Sequence, residues 1–139
     1  MSRVINISEA VSIGIHSLAV IAGSEGMING ILISDITGFS RNHTSKVLQI
    51  LVKHRLLKSE RGPKGGFLLN GPATGIKLID VYRLIEGELP ITNKCMHDRL
   101  VCPFKECVFG GITEKLTKEF SDYLNEKTIG DLIINKIEK

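Results

Sequence analysis

The stretch that most constrains this fold is a predicted helix that runs directly into a glycine-rich hairpin. After Ser40, the positions Thr44, Val47, Leu48 and Leu51 recur at helical spacing and give one inward face. Leu56 to Arg61 then alternates as a short strand, Gly62-Pro63-Lys64-Gly65-Gly66 turns, and Phe67-Leu68-Leu69 returns. A helix followed at once by a cationic hairpin leaves few compact arrangements, because the hairpin must fold back beside the helix it follows.

The segment before it completes the pattern. Ile31 to Ile36 predicts a short helix, with Ile33 and Ile36 inward and Asp35 outward, and Gly38 stops it. A short helix, a turn through Gly38-Phe39 and a second helix capped by Ser40 form a helix-turn-helix. The outward side of the second helix presents Arg41, Asn42, His43, Ser45, Lys46, Gln49 and Lys53. These donors and acceptors suit base edges and phosphates, and they crowd toward the helix N-terminus, the end that enters a major groove. A hairpin placed next in the chain is then a wing, with Arg61 and Lys64 reaching the sugar-phosphate surface and Gly65 allowing close backbone approach. The plainer reading is a tight hairpin whose glycines only supply positive φ. Charge favours the wing. Between Arg41 and Lys64 lie seven cations against the single anion Glu60, whereas the rest of the chain carries 11 cations and 14 anions.

At 139 residues and 42% hydrophobic, the chain can bury a core as one domain or as a small domain with an appendage. We divide it into a winged helix-turn-helix unit over 1–75 and a second unit over 76–139. The first opens with an apolar-rich helix, Ile7 to Ala22, carrying Ile7, Val11, Ile15, Leu18 and Ala22 at helical spacing, capped by Ser8 and ended by Gly23. Its His16 reads as a packing or surface histidine. Beyond a linker at Gly71 to Gly75, Ile76 to Glu86 predicts an amphipathic helix with Ile76, Ile79, Tyr82 and Ile85 on one stripe. A longer polar helix, Ile112 to Lys127, carries a narrow seam of Ile112, Leu116, Phe120 and Tyr123 or Leu124 between dense charges. That pattern suits pairing with a second copy, the alternative being packing onto its own domain. Thr128 to Asp131 resembles a cap for a last short helix, Leu132 to Ile137. The expected class is mainly α with a small β-wing.

All three cysteines fall between Cys95 and Cys107, in a loop that also holds Cys102. An odd number cannot all pair within one chain, and neither an apolar signal segment nor a membrane-length apolar run is present. A reducing cytoplasm is therefore expected, where clustered thiols bind metal or do redox chemistry. Three soft ligands suit an iron–sulfur cluster with one position left for another donor. Zinc held by Cys95, Cys102, Cys107 and His97 is a second reading. A thiol switch favoured by Arg99 and Lys105 is a third. No phosphate-cradling motif, paired carboxylates or serine-nucleophile signature points to an enzyme or a small-molecule substrate. An iron–sulfur electron carrier remains the rival from another class, although it would not need the basic helix and wing.

Arg61-Gly-Pro-Lys-Gly-Gly-Phe-Leu-Leu69, three cysteines soon after the next helix, and a closing Thr128-Ile-Gly-Asp-Leu132 resemble the iron–sulfur winged-helix repressors typified by IscR and NsrR. The resemblance covers almost the full chain. It implies a homodimer crossed through the long helix and bound to double-stranded DNA at a palindromic operator. It also implies a cluster, 2Fe–2S or 4Fe–4S, on Cys95, Cys102 and Cys107, whose state sets operator affinity in response to redox, nitric oxide or iron and sulfur supply. This chain departs from the pattern in places. The cysteine gaps are six residues and then four, Gly110 stands where IscR-type chains have histidine, and Ser12 stands near the NsrR-type aspartate. Glu9 and His97 are the candidates for the fourth ligand.

Overall fold

The computed structural model describes residues 7–89, 103–106 and 108–133. The order is α1 (Glu9–Ala22), α2 (Gly30–Thr37), α3 (Arg41–Lys53), β1 (Leu57–Glu60), β2 (Gly66–Leu69), a 3-10 turn (Ala73–Gly75), α4 (Leu78–Glu86), α5 (Ile112–Glu126) and α6 (Ile129–Ile133). The expected class, mainly helical with a two-stranded wing, is the observed one.

Sequence chemistry accounts for the helix ends. Ser8 caps α1 by accepting from the Val11 amide at 3.1 Å, and Asn29 caps α2 by accepting from Leu32 at 2.8 Å. Gly38 ends α2 in the left-handed region, at φ 83°, where its amide donates to the Ser34 carbonyl. The exit of α3 is less expected. Arg55 takes that left-handed conformation at φ 67° without being glycine, and Leu56 donates back to the Leu51 carbonyl at 2.9 Å. Asn70 secures this exit, its side-chain amide donating to the Arg55 carbonyl at 2.9 Å and its backbone amide to Leu56. The strain at Arg55 costs about 1 kcal/mol.

Helix α1 is central, packing against α3, α4, α6, α2 and β2. Its buried residues are Val11, Ile13, Gly14, Ser17, Leu18 and Ile21. Only Val11 and Leu18 of the expected stripe are among them; Ile15 and Ala22 are half-buried and Ile7 is exposed. With apolar residues almost all round, periodicity cannot choose the face. Gly14 shows what does: a Cβ there would stand 2.9 Å from Ile85 and 3.3 Å from Val81, so α4 lies close against α1 at that point.

One buried cluster joins Val11, Leu18, Val47 and Leu51 to Ile76, Ile79, Val81, Tyr82, Leu124 and Ile129, on both sides of position 75. Backbone bonds reinforce this union, since Leu78 donates to the Lys127 carbonyl and Ile129 to that of Ile76. Helix α4 starts at Leu78, two residues later than expected, because Lys77 pairs with Thr128 in an isolated bridge. The Thr128 cap is present, with the Asp131 carboxylate accepting from the Thr128 amide at 2.8 Å. It starts α6 at Ile129 rather than Leu132. The expected extension to Ile137 runs past the described residues.

Candidate nucleic-acid interface

The winged helix-turn-helix, the candidate reading head, is assembled from α2, α3 and the hairpin. Thr44, Val47, Leu48 and Leu51 are the buried residues of α3, and Ser40 caps it by accepting from the His43 amide at 3.1 Å. That buried set fixes the rotation of the helix, so Arg41, Asn42, His43, Ser45, Lys46, Gln49 and Lys53 are all exposed. No aspartate or glutamate lies on α3 itself. Its exposed surface therefore offers cations and neutral hydrogen-bonding groups only, as a phosphate-facing helix should.

The wing is antiparallel, with Leu57 opposite Leu69, Lys58 opposite Leu68, Ser59 opposite Phe67 and Glu60 opposite Gly66. It is tied to the helix-turn-helix by reciprocal bonds between Ile28 and Phe67, at 3.2 and 2.8 Å. The close approach makes Gly66 obligatory: at φ 144°, a Cβ there would fall 2.5 Å from the Ile28 carbonyl oxygen. Gly65 has a structural reason of its own, because a Cβ would collide with the Glu60 carbonyl across the hairpin neck. Arg61 and Lys64 are exposed at the tip.

Helix and wing enclose shared grooves. Gln49, Lys53 and Arg61 line one of about 400 Å³ beside Phe67. Arg41 and Ser45 line another of about 390 Å³ on the side of Asn29 and Ile31. The fold thus brings together side chains that the sequence presents as two separate groups.

Two carboxylates approach the start of α3. Asp35 of α2 stands 3.7 Å from Arg41, and Glu9 of α1 lies 2.9 Å from His43 Nδ1. Sequence spacing could not have indicated the second contact, since its partners are 34 residues apart. Glu9, a candidate fourth ligand, thus has one carboxylate oxygen engaged by a residue of α3.

Cys95, Cys102, Cys107 and His97 lie outside the described residues. Among the described residues, no group of three or more histidine, cysteine or acidic side chains could hold a metal ion. The helices flanking the cysteine segment meet directly, with the Tyr82 and Phe120 rings edge to face at a centroid separation of 5.7 Å. Burial there pushes the Tyr82 phenol above its ordinary value, and the Glu86 carboxylate adds to the shift. Of the seam on α5, Phe120 is half-buried and Leu124 buried in this chain's own core, whereas Ile112, Leu116 and Tyr123 are exposed. Phe104, Val108 and Phe109 are exposed as well.

Solved structures share this architecture. CymR (YrzC), the global cysteine regulator of B. subtilis, superposes with a TM-score of 0.74 at 23% identity, covering 93% of this chain and 96% of its own. T. potens IscR gives 0.72 at 24% identity, covering 96% and 89%. The oxidised form of Staphylococcus aureus CymR gives 0.73 at 22%, covering 97% and 100%. Residues 7–135 match the family described as Rrf2, iron-dependent transcriptional regulator. With the winged reading head in place and the match running through both halves of the chain, this protein belongs to the Rrf2 family of transcriptional regulators.

Proposed function

We propose that this regulator is a repressor whose operator affinity is set by an iron–sulfur centre on Cys95, Cys102 and Cys107. The observation that supports this most is the confinement of every thiol in the chain to one segment between α4 and α5. Those two helices pack on each other, α4 packs on α1, and α1 packs on α3. In this reading a change at the cysteines acts on α4 and α5 and passes through that packed series to α3. Three thiolates fit such a centre chemically, and the family description is iron-dependent. His97, within the same segment as the thiolates, is the fourth ligand we assign, while one oxygen of Glu9 accepts from His43. When bound, the group supplies a centre sensitive to oxidants, nitric oxide and iron supply.

In this reading residues 1–75 bind DNA, while residues 76–139 carry the sensor and the contact between subunits. Exposed Ile112, Leu116 and Tyr123 of α5 supply the homodimer contact, an apolar row that a second copy would cover. Two reading helices about 34 Å apart would then engage the half-sites of a palindromic operator. The protein acts in the cytoplasm and converts no small-molecule substrate. Among the described residues, no helix is long and apolar enough to cross a membrane.

The structural likeness to the cysteine regulator CymR supports a second reading, in which the thiols switch by oxidation without metal. Iron and acid-labile sulfide counts, with a visible spectrum of protein prepared without oxygen, separate the two. The iron–sulfur reading requires stoichiometric iron and sulfide. A colourless, metal-free protein whose DNA binding responds to thiol oxidation would replace it with the thiol switch, and stoichiometric zinc would replace it with a zinc site.

A further inference from the structure

The contact between Glu9 and His43 joins two capped helix starts that are distant in sequence. Glu9 is the first residue of α1, directly after its Ser8 cap, and His43 is the third residue of α3, its own amide held by Ser40. Glu9 Oε1 lies 2.9 Å from His43 Nδ1. A carboxylate accepts and does not donate, so Nδ1 must carry the proton. Nε2 is then the ring atom left for another partner, and it has none among the described residues. Both side chains are about half exposed, at 48% and 57%, so the pair lies at the surface of the reading head and not in the core.

A histidine on an exposed helix face samples several rotamers and two tautomers, which blurs any base preference it could express. A carboxylate at Nδ1 fixes both ring orientation and tautomer. We infer that Glu9 is a positioning residue for sequence recognition: it orients His43 so that Nε2 reads one base pair in each half-site. This rests on α3 being the helix that enters the major groove, and it adds a residue on another helix that sharpens the reading. Among the described residues, Ser45, Lys46 and Gln49 have no comparable anchor, and Arg41 has only a longer contact to Asp35 at 3.7 Å.

The test selects binding sites for the full-length protein from a pool of duplexes randomised across two turns of DNA. Selections with Glu9→Met, Glu9→Gln, His43→Ala and the Glu9→Met/His43→Ala double variant are compared, with melting temperatures as a check on folding. Methionine keeps side-chain length but cannot accept as the carboxylate does, whereas glutamine retains an acceptor oxygen. Glu9→Met and His43→Ala should flatten preference at the same base pair by about fivefold or more, leaving other positions intact. The double variant should add nothing, and Glu9→Gln should retain most of the preference. If Glu9→Met keeps the full preference, or weakens every position equally, Glu9 does not position His43 although α3 still reads DNA. If the wild-type protein enriches no sequence at all, α3 is not a reading helix and the inference falls with that assignment.

Discussion

Tyr82 of α4 and Phe120 of α5 meet edge to face, their ring centroids 5.7 Å apart, and this contact lies between the helices that flank the cysteine segment. Phe120→Ala should therefore loosen α5 and lower stability by about 2 kcal/mol, less than a fully buried phenylalanine costs because this ring is only half-buried. Urea unfolding would show a reduced midpoint with an unchanged slope.

The wing depends on one backbone approach. Gly66→Ala places a methyl group against the Ile28 carbonyl oxygen in a backbone region hostile to side chains, at φ 144°. A loss of about 2 kcal/mol or more is expected, together with weakened DNA binding. Gly62→Ala is the control, since its φ is 108° but nothing lies within 4 Å of the added Cβ. Thermal unfolding should show the smaller loss for Gly62→Ala.

In the proposed reading Lys64, exposed at the wing tip, meets the phosphate backbone and not base edges. Lys64→Ala should weaken binding almost equally across operator sequences and reduce the salt slope of log K by about 1. A loss confined to one base-pair position, in a titration against single-substitution operators, would instead make Lys64 a base reader.

Asp131 gives a signature in pH. The Thr128 amide donates to its carboxylate, holding it below its ordinary value of 3.8. A carboxyl depressed in the folded state contributes stability above its unfolded value, and this is lost as pH falls through the folded value. Asp131→Asn should therefore melt below wild type near neutrality, with the gap closing only in acid below 3.8. Melting curves over that range check the sign.

Much of the reading head was legible in the sequence because α3 is strongly two-faced. Thr44, Val47, Leu48 and Leu51 are buried and the charged residues around them are exposed, as the spacing predicts. Helix α1 resisted the same treatment because too many of its residues are apolar; neighbours such as Ile85 and Val81 choose the buried face. The α5 seam divides for a related reason. Phe120 and Leu124 turn toward α4 and the core, while Ile112, Leu116 and Tyr123 remain outside, a split that one apolar stripe does not encode. The left-handed Arg55 and the Glu9–His43 contact carry no local signal, since each follows from how separate elements pack.

The central claim is that the cysteine segment governs the reading head, and operator affinity in matched states tests it most directly. Wild-type protein prepared without oxygen would be titrated against its selected operator, beside the same protein after iron removal and beside Cys102→Ala. The account predicts that the intact and iron-stripped forms differ by about fivefold or more, and that Cys102→Ala behaves as the stripped form whatever the iron supply. Equal affinities in all three would contradict it, leaving a winged regulator whose thiols have no influence on DNA.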